Sequence, residues 1–409
     1  METPQIVDHF FRTEYGKAVS HLTNRFGSKH LELAEDAVQE ALIRAIQTWP
    51  YTKVPENPAG WIHRVASNKM IDQLRREQKI DKREVPDAVE ELNDHASFEA
   101  INDEMIRMMF ACCHPSLSSE YQIILTLKIL GGLSVREIAS ALVKKEETVA
   151  KAYTRAKKKF KKEEIQLALP PANEIEKRLN IVLKIVYLLF NEGYKASEGT
   201  LLIREELCEE AIRLNKVLLD SDICNTPSAN ALISMMLFQT ARFSARTDDQ
   251  GNIIRLEDQD RSKWDQDLIN LGLEYLEKAS QTNELNEYLI QAVISATHCR
   301  ASNFEETDWA NILRMYDLHL QLSNNPIIEL NRVIPLQKVH GSLLAHKEIE
   351  RLEATQFFDE YYLFYAIKAQ ILEDIGDMEN CKNSLKKAVS LVKNERESIF
   401  LRKKLALIP

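Results

Sequence analysis

Ser134–Lys162 reads SVREIASALVKKEETVAKAYTRAKKKFKK, two helical patterns separated by a turn. Ser134 followed three residues later by Glu137 matches a capping box, in which each residue satisfies a backbone N–H of the first turn. The spacing predicts a short helix over Val135–Leu142, a turn at Val143-Lys144-Lys145, and a second helix. That second helix would place Val149, Ala152, Tyr153, Ala156 and Phe160 on one face. Its other face carries Lys151, Thr154, Arg155, Lys157, Lys158 and Lys159, and Lys161 and Lys162 follow. From Lys151 to Lys162 there are seven basic residues and no acidic one. A helix-turn-helix lays such a second helix in the major groove, where lysines neutralise phosphates and Lys151 or Arg155 reaches guanine edges. The same pattern also fits a plain helical hairpin with a solvated lysine face.

Upstream, Val38, Ala41, Leu42, Ala45, Ile46 and Trp49 form an apolar stripe at helical spacing, opposite Asp36, Gln39, Glu40, Arg44 and Gln47. Ile62, Val65, Ala66, Met70 and Leu74 make a second stripe, opposite Arg64, Asn68, Arg75 and Arg76. Pro50–Gly60 lies between them and is expected to be a loop, with three prolines and one glycine. Trp61–Arg83 holds seven basic residues and three acidic ones, with Trp49, Tyr51 and Trp61 close in sequence. Basic charge beside aromatics suits a single strand, whose bases stack on aromatic faces, although for each Trp alone a core anchor is the better reading. Glu84–Glu104 has eight acidic residues and no basic one, which reads as a flexible linker. Beyond Pro170-Pro171, roughly ten helix-sized segments follow up to Ile408. Gly376, Cys381, Leu385 and Ala388 stand where a tetratricopeptide repeat has its turn glycine and its small–large–small packing residues.

Composition narrows the classes further. The chain has 409 residues, which at about 150 per domain suggests two or three domains. Only 11 Gly and 12 Pro leave little room for the many turns of a β-sandwich or barrel, so an all-α fold is expected. The net charge of −9 sits in the C-terminal part: residues 1–165 hold 25 basic and 25 acidic residues, residues 166–409 hold 28 and 37. The six cysteines have the scattered placing of reduced cytosolic thiols. Cys112-Cys113-His114 lacks the spacing of a zinc knuckle and is read as packing. The most apolar run, Ile181–Phe190, is half of what a membrane span needs and contains Lys184. Met1–Phe10 has no long apolar run, so no signal peptide is expected and the location is expected to be cytoplasmic. No phosphate-binding glycine loop, His-Glu-x-x-His or nucleophile elbow is present, so no enzyme, cofactor or metal is expected. Asp258–Asp265 is dense in charge and reads as a salt-bridged loop between helices rather than a carboxylate site.

Three stretches carry a resemblance: Glu35-Asp36-Ala-Val-Gln39-Glu40-Ala-Leu-Ile-Arg44, Trp61-Ile-His-Arg64-Val-Ala-Ser-Asn68-Lys69, and Leu133–Leu142 with Thr148–Lys157. In order and spacing they resemble regions two and four of bacterial sigma-70-family factors of the extracytoplasmic-function type. Cys112-Cys-His-Pro115, Leu188–Tyr194 and Leu256–Asp265 are similar to the subgroup with a long helical-repeat extension. The resemblance implies a region-two domain over 1–80, an acidic linker over 81–104, a region-four helix-turn-helix domain over 105–168, and a tetratricopeptide-like domain over 172–409. It implies that Asp36, Gln39, Glu40 and Arg44 dock on core RNA polymerase. Lys53, Asn57, Trp61, Arg64, Asn68, Lys69, Arg75 and Arg76 would hold the −10 promoter element, including a flipped base. Thr148, Lys151, Thr154, Arg155, Lys157 and Lys158 would read the −35 element. Sigma factors often carry Arg where this helix has Ala150 and Ala152, which shifts readout onto Lys151, Thr154 and Arg155.

The implied function is promoter recognition, duplex opening and transcription initiation with core polymerase and promoter DNA as partners. The alternative is a free-standing helix-turn-helix regulator whose helical C-terminus senses a ligand or partner. Such a regulator does not need the Asp36–Arg44 and Trp61–Arg76 half. A solenoid of helix pairs also suits a protein partner for the C-terminal part, and its acidic surface repels DNA. The resemblance favours support of the sigma domains by that part over inhibition.

Overall fold

The computed structural model describes residues 3–78, 103–282 and 284–408. Among the described residues there are eighteen α-helices and no strand beyond two isolated bridges. They form two compact units, residues 1–190 with 209–225, and residues 191–208 with 226–409. The first unit includes chain beyond Pro171, up to residue 190. Residues 79–102, which hold most of the expected acidic linker, lie outside the described residues.

In the first unit, α1 (Thr3–Phe26), α2 (Leu31–Thr52) and α3 (Pro58–Gln78) pack on one another. Val38, Ala41, Leu42, Ala45 and Trp49 are buried as their stripe requires, against Ala18, Val19, Leu22, Ile62, Ala66 and Met70. Ile46 departs from the stripe and is 48 % exposed, because it stands at the edge of the buried stripe, turned towards exposed Gln39 and Ile43, while Ala45 and Trp49 on either side of it in the chain are buried. The expected loop is shorter than its prolines suggest. Pro50 is accommodated in the last turn of α2, where only one donor is lost, and Pro58 opens α3 at a position whose N–H has no helical partner.

Helices α4 (Glu104–Cys112), α5 (Ser119–Ile129), α6 (Val135–Ala141) and α7 (Glu146–Lys162) make the second part of this unit. The capping box at Ser134 forms as expected: Glu137 N–H donates to Ser134 Oγ at 3.0 Å, and Ser134 N–H donates to Glu137 Oε2 at 2.6 Å. Asp103 caps α4 and Ser118 caps α5, each worth about 1 kcal/mol. Cys112 and Cys113 are fully buried, and burial pushes the Cys113 thiol up to about 12 and Cys112 well above its ordinary value, so both stay protonated packing groups. Among the described residues no three His, Cys, Asp or Glu groups gather as metal ligands. Two further helices begin α8 (Ala172–Tyr194) and α9 (Glu205–Leu219). Arg178 of α8 donates to the Phe110 carbonyl at 3.0 Å, and Arg213 of α9 pairs with Asp103 and Glu210.

The second unit contains α10 (Pro227–Thr240), α11 (Gln266–Ala279), α12 (Glu287–Arg300), α13 (Trp309–Leu322), α14 (Pro326–His340), α15 (Ser342–Glu353), α16 (Tyr362–Asp374), α17 (Met378–Leu391) and α18 (Glu395–Leu407). Most of them pack on their neighbours in sequence. The expected hairpin turns at Gly376, whose φ of 83° suits only glycine, and Cys381, Leu385 and Ala388 are buried with Ala369 and Leu372. Asn394 is buried; its amide donates to the carbonyls of Ala196 and Leu201 at 3.1 and 2.8 Å, so the first and last segments of this unit meet.

Within the first unit, Gly16 of α1 lies against the end of α5 so closely that a Cβ there would stand 2.2 Å from the Leu130 carbonyl oxygen. Backbone cannot yield as a side chain can. Gly16→Ala is expected to lower stability by about 1–3 kcal/mol, read by thermal unfolding. An unchanged melting temperature would show that α1 and α5 do not approach in this way.

Candidate functional site

Helix α2 presents Asp36, Gln39, Glu40 and Arg44 to solvent, the face opposite its buried stripe. Between them lie Ile43 and Ile46, 53 % and 48 % exposed, with Tyr51 at 89 %. Three large apolar side chains in the open along one helix mark a surface built to be covered. Sequence reading missed this feature, since Ile46 fits the buried stripe and Ile43 has no signal apart from its neighbours.

Helix α3 places Trp61, Arg64, Asn68 and Arg75 at i, i+3, i+7 and i+14, one face of the helix. Arg64, Asn68, Arg75 and Arg76 are exposed, whereas Trp61 is half-buried, edge-on to Trp49 at 5.4 Å. Trp49 is thus the core anchor, and Trp61 shows part of its ring beside the basic face. Lys53 is exposed in the connection, with φ 71°, and its N–H donates to the Trp49 carbonyl at 3.1 Å. Asn57 serves α3 locally, its Oδ1 accepting from Gly60 N–H at 2.8 Å. Lys69 pairs with Glu40 at 2.7 Å, so one residue of the α3 set is tied to one of the α2 set.

On α7, Thr148, Lys151, Thr154, Arg155 and Lys158 are exposed together. Lys151 pairs with Glu147 one turn back, and Thr154 Oγ1 donates to the Ala150 carbonyl at 3.0 Å. Arg155 and Lys158 have no side-chain partner among the described residues. Ala152 is buried, so this position faces the core and could not read a base whatever residue stood there, while Ala150 is exposed.

Lys157 is different. Its Nζ turns inward to Glu35 Oε2 of α2 at 3.2 Å and to Glu32 Oε1 at 3.7 Å, leaving its side chain 20 % exposed. Glu35 is 4 % exposed and also accepts from the Tyr153 hydroxyl and, at 3.5 Å, from the Tyr15 hydroxyl. Burial and the Glu35 charge hold the Tyr153 phenol well above its ordinary pKa, so it remains a donor. The Lys157 ammonium stands 4.8 Å from the centre of the Tyr153 ring. One carboxylate of α2 thus holds two side chains of α7, 118 and 122 residues away in sequence.

In the second unit the charged loop is only partly salt-bridged. Asp258 pairs with Arg255 at 3.0 Å, but Asp260 accepts from Ser262 N–H and Asp265 caps α11. Its arginine and tryptophan, Arg261 and Trp264, turn inward and stack.

Comparison with known proteins matches residues 11–80 to sigma-70 region 2 and residues 107–160 to sigma-70 region 4. Residues 178–280 match a family of unknown function, DUF6596. A protein of Rhizobium meliloti (strain 1021), described as uncharacterised, is 34 % identical over 384 residues, covering 92 % of this chain and 90 % of its own. No solved structure matches. Among the described residues no helix is long and apolar enough to cross a membrane.

Removing the Glu35 carboxylate leaves Tyr153 and Lys157 without their shared acceptor. Glu35→Ala is expected to lower stability by about 1–3 kcal/mol. It should also free Lys157, so that the salt slope of duplex DNA binding steepens by about one phosphate contact. Titrations over a range of KCl concentrations read this directly; an unchanged slope would show that Lys157 does not reach DNA once released.

Proposed function

We propose that this chain, which belongs to the sigma-70 family by its regions 2 and 4, is a promoter-specificity subunit that docks on core RNA polymerase and reads two promoter elements. In this reading the α2 face with Asp36, Gln39, Glu40 and Arg44 is the docking surface, and Ile43 and Ile46 supply the apolar contact. The α3 face with Arg64, Asn68, Arg75 and Arg76, together with Lys53, Asn57, Trp61 and Lys69, holds the −10 element. Opening the duplex needs a base to be captured outside the stack, which offsets its unstacking cost. The half-exposed ring of Trp61 beside exposed Asn68 and Arg64 offers a stacking surface and donors for such a base. The α7 face with Thr148, Lys151, Thr154, Arg155 and Lys158 reads the −35 element.

The observation that carries this reading is the pairing of an open apolar docking face with two separate basic faces in one unit. A regulator that binds DNA alone has no use for the first.

The Glu35 tie then has a mechanical consequence. Elements named −10 and −35 are roughly 25 base pairs apart, on the order of 85 Å at ~3.4 Å per base pair. With α7 tied through Glu35 to α2, on which α3 packs, α3 and α7 cannot reach across that span. Engaging both elements at once therefore requires Tyr153 and Lys157 to leave Glu35, and Lys157 then joins the phosphate-binding set.

Run-off transcription with purified core polymerase and genomic fragments tests the proposal. The full chain should start transcription at discrete sites, and Lys151→Ala and Arg155→Ala should each weaken promoter binding by about 1–3 kcal/mol if the contact is a base edge. Transcription that is unchanged in both variants would remove the −35 assignment, and no discrete start with any fragment would remove the function.

A further inference from the structure

Two motifs of the second unit have no part in promoter reading, Asn191–Tyr194 and Asp258–Asp265, and they meet around three arginines. Arg246 is 8 % exposed; its Nη1 donates to the Tyr194 carbonyl at 2.5 Å, and its guanidinium carbon lies 3.7 Å from the centre of the Tyr194 ring. Arg242 and Arg261 both lie against the indole of Trp264, at 5.2 and 4.6 Å from its centre, and that indole is 3 % exposed. Arg242 donates only to Gln259 Oε1, at 3.3 and 3.4 Å. Arg261 Nη1 donates to the carbonyls of His298 and Ala301, each at 2.6 Å, while its Nη2 is enclosed without an acceptor.

Every acceptor of these three groups is neutral. Among the described residues none of them has a carboxylate within ion-pair distance. Of the carboxylates whose charge reaches them, Glu397 near Arg246 is engaged with Lys195 and Tyr362, and Glu305 acts on Arg261 from beyond ion-pair distance. A buried charge without a counter-charge is costly. Arg246 and Arg261 do donate to carbonyls at the C-terminal ends of α8 and α12, and a helix end carries about half an elementary negative charge. That leaves Arg246 buried without a carboxylate, beside Arg242 and Arg261, which are half-buried and partly open to water. The surrounding groups register the excess. Burial, then Arg242, lowers the guanidinium pKa of Arg261, and burial and the same neighbour act on Arg246. Burial, then Arg242 and Arg261, pushes His298 down to about 3, so it stays neutral and adds no charge.

We propose that Arg242 and Arg246, reinforced by the field of Arg261, bind a small phosphoryl-bearing ligand, the counter-charge that the protein itself does not supply. Guanidinium forks match tetrahedral oxyanions in geometry, and the size of the excess favours a dianion over a single carboxylate. Nucleic acid is a poor candidate, because the C-terminal part is acidic overall and repels a polyanion. The site lies inside the stretch that matches the family of unknown function, apart from His298 and Ala301. It gives that part of the chain a sensing role independent of how the first unit reads promoters.

The test is thermal unfolding of the full chain in increasing inorganic phosphate, against chloride at equal ionic strength. Ligand binding to the folded state raises the melting temperature saturably. Wild type and Lys386→Gln, an exposed lysine of α17, should show the same rise. Arg242→Gln should need at least ten times more phosphate for an equal rise, and Arg242→Lys, which keeps the charge, should fall between. A parallel series in glycerol phosphate separates the sources: a larger response to the ester assigns a phosphorylated metabolite, and a larger response to inorganic phosphate assigns the free ion. Should Arg242→Gln fail to fold, saturable broadening of the phosphate ³¹P resonance by wild type, reduced in Arg242→Lys, stands in its place. No rise beyond chloride, or a full response in Arg242→Gln, would overturn the site.

Discussion

A carboxylate buried to the depth of Glu35 needs donors to replace the water it has lost. Tyr15 of its own bundle provides one, and the others, Tyr153 and Lys157, come from α7. Electrostatics thus makes the packing of α2 and that of α7 parts of one structure. Gly16 allows α1 to approach the end of α5 to the point where no side chain would fit, and it supports the same closure from the other side. The exposed faces are what this closure leaves over: the Asp36–Arg44 surface on α2, the Arg64–Arg76 surface on α3, and the Thr148–Lys158 surface on α7.

Much of this was legible locally. The capping box at Ser134, the turn at Val143 and the buried face of α7 follow from residues within a few positions of one another, and the structure has all three. The stripe of α2 was legible for the same reason, up to Trp49. What was not legible depended on distant chain. Ile46 fits the stripe's period, yet it is open because it lies at the edge of the stripe, and period alone cannot say how wide a face the neighbouring helices cover. Lys157 belongs by spacing to a basic face, but its partner lies 122 residues upstream, and no local pattern announces that pairing. Pro50 reads as a helix breaker and is absorbed in a final turn.

The C-terminal part shows the same division. The hairpin at Gly376 was readable because a turn glycine and a small–large–small set act over one helix pair. The meeting of Tyr194 with Arg246, or of Arg242 and Arg261 across Trp264, was not, since these residues come from separate loops brought together by the fold of the second unit. The first unit runs to residue 190 and takes up residues 209–225, with Arg178 and Arg213 bound to the α4 region. Part of the chain beyond the sigma-like regions therefore belongs structurally to them.

The proposed function rests on Glu35 holding α2 and α7 together in the free protein and on the two separating when polymerase and both promoter elements are engaged. Spin labels on the exposed residues Gln47 of α2 and Lys159 of α7 measure that separation by pulsed electron resonance. A single short distance in the free protein, shifting to a longer one when core polymerase and promoter DNA are added, is the expected result. A broad distribution in the free protein, or one distance unchanged on adding polymerase and DNA, would contradict it.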